Sequence, residues 1–198
     1  MSQLTLYGFA PSTYTRTARM ACVEKGVPYD LQPSALGKPA YAALHPFHKM
    51  PALTHGDVRL FETMAIIRYI DEAFDGPALQ PSTPAARARM AQWESVVSSY
   101  TYRTVISKWV LAAMHNNPAE QIAEAAKAAA AHLTLIDGLV GDSAWLAGDQ
   151  LSLADLTMAP VLAYVAGIPE GAAMMAACPN LSRVYGAISA RESFTATG

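Results

Sequence analysis

The sequence predicts an α+β chain in which a small mixed-sheet domain precedes an all-helical one. Strand signals cluster in the first third: an alternating run at 3–7, a short run at 29–32, and two runs flanking Gly56-Asp57. Beyond residue 84 strand signals are lacking, and alanine-rich, helix-compatible sequence takes over. A stretch holding Pro77, Pro81 and Pro84 separates the two regimes and reads as a linker. The expected organisation is a sheet domain at 1–75, a linker at 76–84 and a helical domain at 85–198.

The elements follow in order. Gln3–Tyr7 alternates as a half-buried strand does, and Gly8–Ser12 forms a loop. Thr13–Lys25 is a helix with Ala18, Ala21 and Cys22 toward its apolar side, stopped by Gly26 and Pro28. Tyr29–Gln32 is a short strand, and Lys38–His45 a weak helix ended by Pro46. Ala52–His55 and Val58–Phe61 form a hairpin around Gly56-Asp57, and Thr63–Phe74 is a helix with Ile66, Ile67 and Ile70 available for burial. In the second half, 85–115 reads as one helix of about 46 Å, ending near Asn116-Asn117-Pro118. Helices are expected at 119–140, at 152–165 behind a Ser152-x-x-Asp155 capping box, and at 180–191.

Composition narrows the function. With 198 residues the chain can bury roughly 70% of its unfolded surface. A 52% hydrophobic, 15% charged composition reads as globular rather than disordered. Fourteen basic and 16 acidic residues give a net charge of −2, with no basic block or aromatic-basic stripe, so no nucleic-acid partner is expected. Cys22 and Cys178 lie far apart in no metal or redox spacing, and no metal is expected; His45, His55, His115 and His132 have no ligand-like spacing either. Without a leader-like start or an apolar window of membrane-spanning length, the expectation is a cytoplasmic protein with no membrane partner.

The chemistry concentrates in Pro46-Phe-His-Lys-Met-Pro-Ala-Leu53 and Leu60-Phe-Glu-Thr-Met-Ala-Ile66. Pro51 cannot donate to a sheet ladder, so it belongs at a strand's first residue or edge, leaving the Met50 backbone free to pair with something outside the sheet. Glu62 and Thr63 stand at a helix start, where unpaired N–H groups and the positive dipole end seat a carboxylate. Together these groups can hold a small zwitterionic peptide by its backbone and its charged end. Either feature alone has a plainer reading: a threonine cap with an acid beside it, or a proline opening a strand.

Four motifs in register resemble the glutathione S-transferase superfamily, nearest its serine-using, phi- and theta-like members of bacterial type. They are Leu6-Tyr-Gly8 followed by a Ser/Thr/Tyr loop, Phe47-x-Lys-Met-Pro-Ala-Leu53, Phe61-Glu-Thr-x-Ala-Ile66, and Leu151-Ser-Leu-Ala-Asp-Leu156. The resemblance implies a thioredoxin-like glutathione-binding domain, then the helical domain. It implies a glutathione transferase, with reduced glutathione as co-substrate, a small hydrophobic electrophile as second substrate, a homodimer, and a role in detoxification. A Ser12 hydroxyl would stabilise the thiolate; the Gly8-to-Gly26 interval matches the serine-using members, while Thr13 and Tyr14 stay open, as does a cap role for Ser12. By the same resemblance Lys38 and Lys49 meet the glycine carboxylate, Met50 offers its backbone ahead of a cis Pro51, and Glu62 and Thr63 hold the γ-glutamyl end. Phe9, Tyr14, Tyr102 and Trp109 would wall the electrophile pocket, with Tyr100 a further wall candidate. The family more often has glycine at 48 and serine at 63, where this chain has His48 and Thr63. Ser152 and Asp155 are expected to stabilise the fold, and Cys22 to pack. A non-catalytic glutathione-binding or scaffold protein, and a glutathione-dependent peroxidase, are the alternatives; the absence of a loop cysteine argues against mixed-disulfide exchange.

Overall fold

The computed structural model describes residues 3–198, which divide into two compact units: 3–80 together with 190–198, and 81–189. In the first unit four strands, β1 (Leu4–Tyr7), β2 (Tyr29–Gln32), β3 (Ala52–His55) and β4 (Val58–Phe61), form one sheet in the order β2-β1-β3-β4. β1 runs parallel to β2 and antiparallel to β3, which pairs antiparallel with β4. Leu4 and Leu6 alternate inward as the sequence requires. They join the buried residues of α1 (Thr13–Glu24), among them Ala18, Ala21 and Cys22, and Ile66, Ile67 and Ile70 of α3 (Thr63–Ala73) in the core of this unit. Burial pushes the Cys22 thiol up to about 12, so it is a packing residue rather than a nucleophile.

α1 ends where Gly26, at φ +65°, lets the chain reverse; the Gly26 and Val27 amides donate to Val23 and Cys22 carbonyls. α2 (Pro39–Ala42) is a single turn, shorter than the 38–45 helix read from the sequence. Its one buried residue, Tyr41, leaves it no apolar face on which to extend. The segment read as linker is tied down. Asp71, buried in α3, pairs with buried Lys25 at 3.2 Å and accepts from the amide of Leu79, itself 2% exposed.

The second unit is helical. The run read as one helix at 85–115 is continuous but not uniform. α4 (Pro84–Val96) and α5 (Leu111–Met114) flank Val97–Val110, whose turns widen to the π-helical spacing. Asn116, at φ +53°, stops the run, with Asn117 donating to the Ala112 carbonyl. α6 (Ala119–Val140) and α7 (Leu153–Ala166) stand close to where the sequence places them. Asp155 accepts from the Ser152 amide and hydroxyl and from the Leu146 amide, so the capping box also ties down the preceding loop. Burial pushes the Asp155 carboxyl up to about 6 while those three donors act in the opposite sense. α8 (Pro169–Ala176) has no counterpart in the sequence reading, and α9 (Pro179–Ser189) has one. The last helix, α10 (Glu192–Thr195), belongs with residues 190–198 to the first unit, whereas the sequence reading assigned that stretch to the helical half. Among the described residues no helix is long and apolar enough to cross a membrane.

Candidate functional site

Strand register decides which loops meet. Tyr7, the last residue of β1, pairs with Gln32, the last of β2, and with Ala52, the first of β3; Ala52 in turn pairs with Phe61, the last of β4. The loop 8–12, the segment after Gln32 that leads to Lys38, the Met50–Pro51 step and the Glu62–Thr63 pair therefore all leave the sheet at one end. α1 follows β1 and α3 follows β4, so both helices start there. Two helix N-termini with their positive dipole ends lie at that end, with exposed Lys38 and Lys49 in the flanking loops. This is an anion-attracting rim with acid Glu62 set into it.

Ser12 is half-buried, and its Oγ accepts from the Thr15 amide at 3.4 Å, so the cap is real. A hydroxyl that accepts one hydrogen bond still has a proton to donate, so capping does not compete with a thiol partner. Thr13 is 5% exposed and Tyr14 is half-buried. The Met50–Pro51 peptide is cis. Buried Tyr41 donates its hydroxyl to the Lys49 carbonyl at 2.8 Å and fixes the approach to that step. Glu62 is exposed and adopts φ +70°, a left-handed conformation that non-glycine residues rarely take. Thr63 is 6% exposed at the first turn of α3. His48, exposed, also sits at positive φ (+51°), which gives a physical reason for glycine at that place.

The aromatic wall candidates part company. Phe9 is 61% exposed and, with Tyr14, belongs to the first unit at the sheet end described. Tyr102 is half-buried and Tyr100 is 63% exposed, both in the second unit. Trp109 is fully buried there; a Cβ at Gly171 would fall 3.0 Å from its ring. It is therefore a core residue and not a wall, the usual fate of aromatics at helical spacing.

Sequence reasoning missed the support around these loops. His45, 1% exposed, packs against Phe61 (5.2 Å between ring centroids) and edge-on to Phe47 (6.4 Å), joining the loop before Met50 to the strand before Glu62. Burial pushes the His45 pKa down, favouring the neutral ring. The only available signal was His45 directly ahead of Pro46-Phe47, which the spacing test for metal ligands discards. A separate cavity of about 680 Å³ lies at the other end of the sheet, lined by Gln3, Leu4, Tyr29 and Phe74, and holds none of the predicted site residues.

Comparison with known proteins agrees with this fold. Residues 6–78 match the model of the glutathione S-transferase N-terminal domain, and 119–187 that of the C-terminal domain. The chain is 32% identical to glutathione S-transferase F9 of Arabidopsis thaliana, over 92% of this chain and 90% of that protein. It superposes on the apo structure of a glutathione S-transferase III with a TM-score of 0.85 and 30% identity, covering 99% of this chain and 95% of the other. A theta-class glutathione S-transferase from Xanthomonas axonopodis pv. citri, solved with glutathione bound, gives 0.83 and 25%, over 100% and 97%. Fold and sequence agree, and the chain belongs to the glutathione S-transferase family as a glutathione transferase.

Proposed function

We propose that this transferase binds reduced glutathione at the sheet end formed by loop 8–12, Met50–Pro51 and Glu62–Thr63, and that Ser12 activates its thiol. The observation carrying the reading is the strand register, which brings these segments and two helix N-termini to one place. Lys49 and Lys38 attract the glycine carboxylate, and the Met50 backbone pairs with the cysteinyl residue. Glu62 pairs with the γ-glutamyl ammonium, and the Thr63 hydroxyl and amide hold the carboxylate beside it.

A free thiol of pKa about 8.5 is only about 3% ionised at pH 7. Lowering that pKa by two units requires about 2.7 kcal/mol of preferential stabilisation, within reach of a hydroxyl donor and a helix N-terminus acting together. The thiolate then attacks an electrophilic carbon: the sulfur–carbon bond forms as the leaving group departs with its electron pair. Phe9 and Tyr14, both in the first unit, supply apolar surface for the electrophile.

The active form is a homodimer. Support comes from unburied apolar groups on both units: Phe47 (67% exposed) edge-on to Phe61 in the first, Leu135 and Leu139 on α6 in the second. A groove of about 360 Å³ lined by Trp93, Val96, Leu139 and Leu146 adds to the second unit's apolar surface. A two-fold pair would cover a patch on each chain with a different patch on the other. Two free, buried cysteines suit a reducing, cytoplasmic setting, and clearance of small electrophiles is the role this chemistry fits.

Initial rates with an activated aryl halide test the assignment. Ser12→Ala should lower turnover at pH 7 by about 10–100-fold, while Tyr14→Phe should cost less than about threefold. An active Ser12→Ala beside an inactive Tyr14→Phe would move the role to Tyr14. A parent that neither binds glutathione nor turns over would end the reading.

A further inference from the structure

The last nine residues return to the first unit and close on α1, the helix that Ser12 caps. Arg191 meets Glu24 in the last turn of α1 through two hydrogen bonds of 2.7 Å, and the Ser193 hydroxyl donates to the same carboxylate. Arg19, mid-helix, donates to the Thr197 carbonyl at 2.9 Å. Arg16 donates to the Phe194 carbonyl at 3.0 Å and to Thr197 Oγ at 3.4 Å, with its guanidinium 4.1 Å from the centroid of the Phe194 ring. The Arg16 amide bonds the Ser12 carbonyl at 2.8 Å, so this anchorage reaches the cap residue within one turn. Ser193 and Thr197 are each 1% exposed, and the Thr197 hydroxyl donates to the Ser193 carbonyl, locking the segment on itself.

We infer that residues 191–197 form a clasp that holds α1 in the position at which Ser12 meets the bound thiol, with Arg16 and Glu24 as positioning residues. The inference rests on the role proposed for Ser12. The clasp binds α1 at its first, middle and last turns, so it restrains translation and tilt of the helix as a whole. A displacement of a few tenths of an ångström at Ser12 lengthens a hydroxyl–sulfur hydrogen bond and weakens its preference for the thiolate.

Glu24 separates positioning from direct electrostatics. It lies twelve residues beyond Ser12, about 18 Å along the helix. Glu24→Gln removes a negative charge, which by field alone would favour the thiolate and lower the thiol pKa. Loss of positioning raises it. The experiment measures, in the parent, Glu24→Gln and Arg191→Lys, the pKa of bound glutathione by thiolate absorbance, kcat and KM for glutathione, and amide exchange across residues 15–17. The expected result for Glu24→Gln is a rise of at least about half a unit in thiol pKa. With it come an about twofold loss of kcat at pH 6.5, a nearly unchanged KM and faster exchange in the first turn of α1. Arg191→Lys keeps the charge pair but loses the forked geometry, and should shift the thiol in the same direction by less. If either folded variant loses thermal stability while thiol pKa and kcat stay at parent values, the segment is only a terminal brace and the inference falls. A parent that fails to ionise glutathione would instead overturn the role of Ser12.

Discussion

Glu62 holds a backbone conformation that costs an ordinary residue about 1–2 kcal/mol, and it does so exposed at the mouth of a helix. Its carbonyl accepts from the Ala65 and Ile66 amides, so the residue in this conformation also opens α3. Glu62→Gln keeps shape and backbone while removing the charge. Calorimetry should show glutathione affinity falling by about tenfold, equivalent to about 1.4 kcal/mol, with the unfolding midpoint nearly unmoved. The residue types at the site were legible because proline, acid and hydroxyl each have a narrow set of uses at an element boundary. The conformations were not. Nothing in a glutamate or a histidine announces a positive φ; at 48 the only hint was glycine's frequency in similar proteins.

Helices with a clear apolar stripe, such as α3 with Ile66, Ile67 and Ile70, were readable from periodicity alone. Those held by context were not. α8 carries Gly171 in its first turn because a Cβ there would sit 2.0 Å from the Val165 carbonyl oxygen, a packing demand invisible in sequence. α10 is four residues long and exists through Glu24, 168 positions before its first residue. The widened turns at 97–110 likewise leave no mark in an apolar pattern. The Glu24 carboxylate offers a test at this scale. Burial raises its pKa, but hydrogen bonds from Arg191 and Ser193 and the Arg191 charge outweigh that and hold it below the usual glutamate range. A lowered folded-state pKa means the unfolded chain takes up the proton first as pH falls. The stability contributed by ionised Glu24 is therefore complete above the unfolded pKa and is lost as pH drops through the folded one. Denaturant titrations at pH 6, 4.5 and 3 should show the parent's advantage over Glu24→Gln shrinking steadily toward the acid end.

For the whole molecule, the shift from strand signals to alanine-rich helix announced the α+β architecture, and register converted three of the four motifs into one rim. Trp109 was less legible, since in sequence it looked the same as a wall residue until its burial was known. The proposed dimer predicts that Phe47→Ser, a change at a side chain 67% exposed, leaves the fold intact and raises the dimer dissociation constant at least about tenfold by light scattering. A dimer of unchanged affinity would place the interface elsewhere.

The most direct test of the central claim is the ultraviolet titration of glutathione bound to the parent and to Ser12→Ala. The account predicts a bound thiol with a pKa near 6.5 in the parent, returning toward about 8.5 when the hydroxyl is removed. Bound glutathione that stays un-ionised below pH 8 in the parent would contradict it.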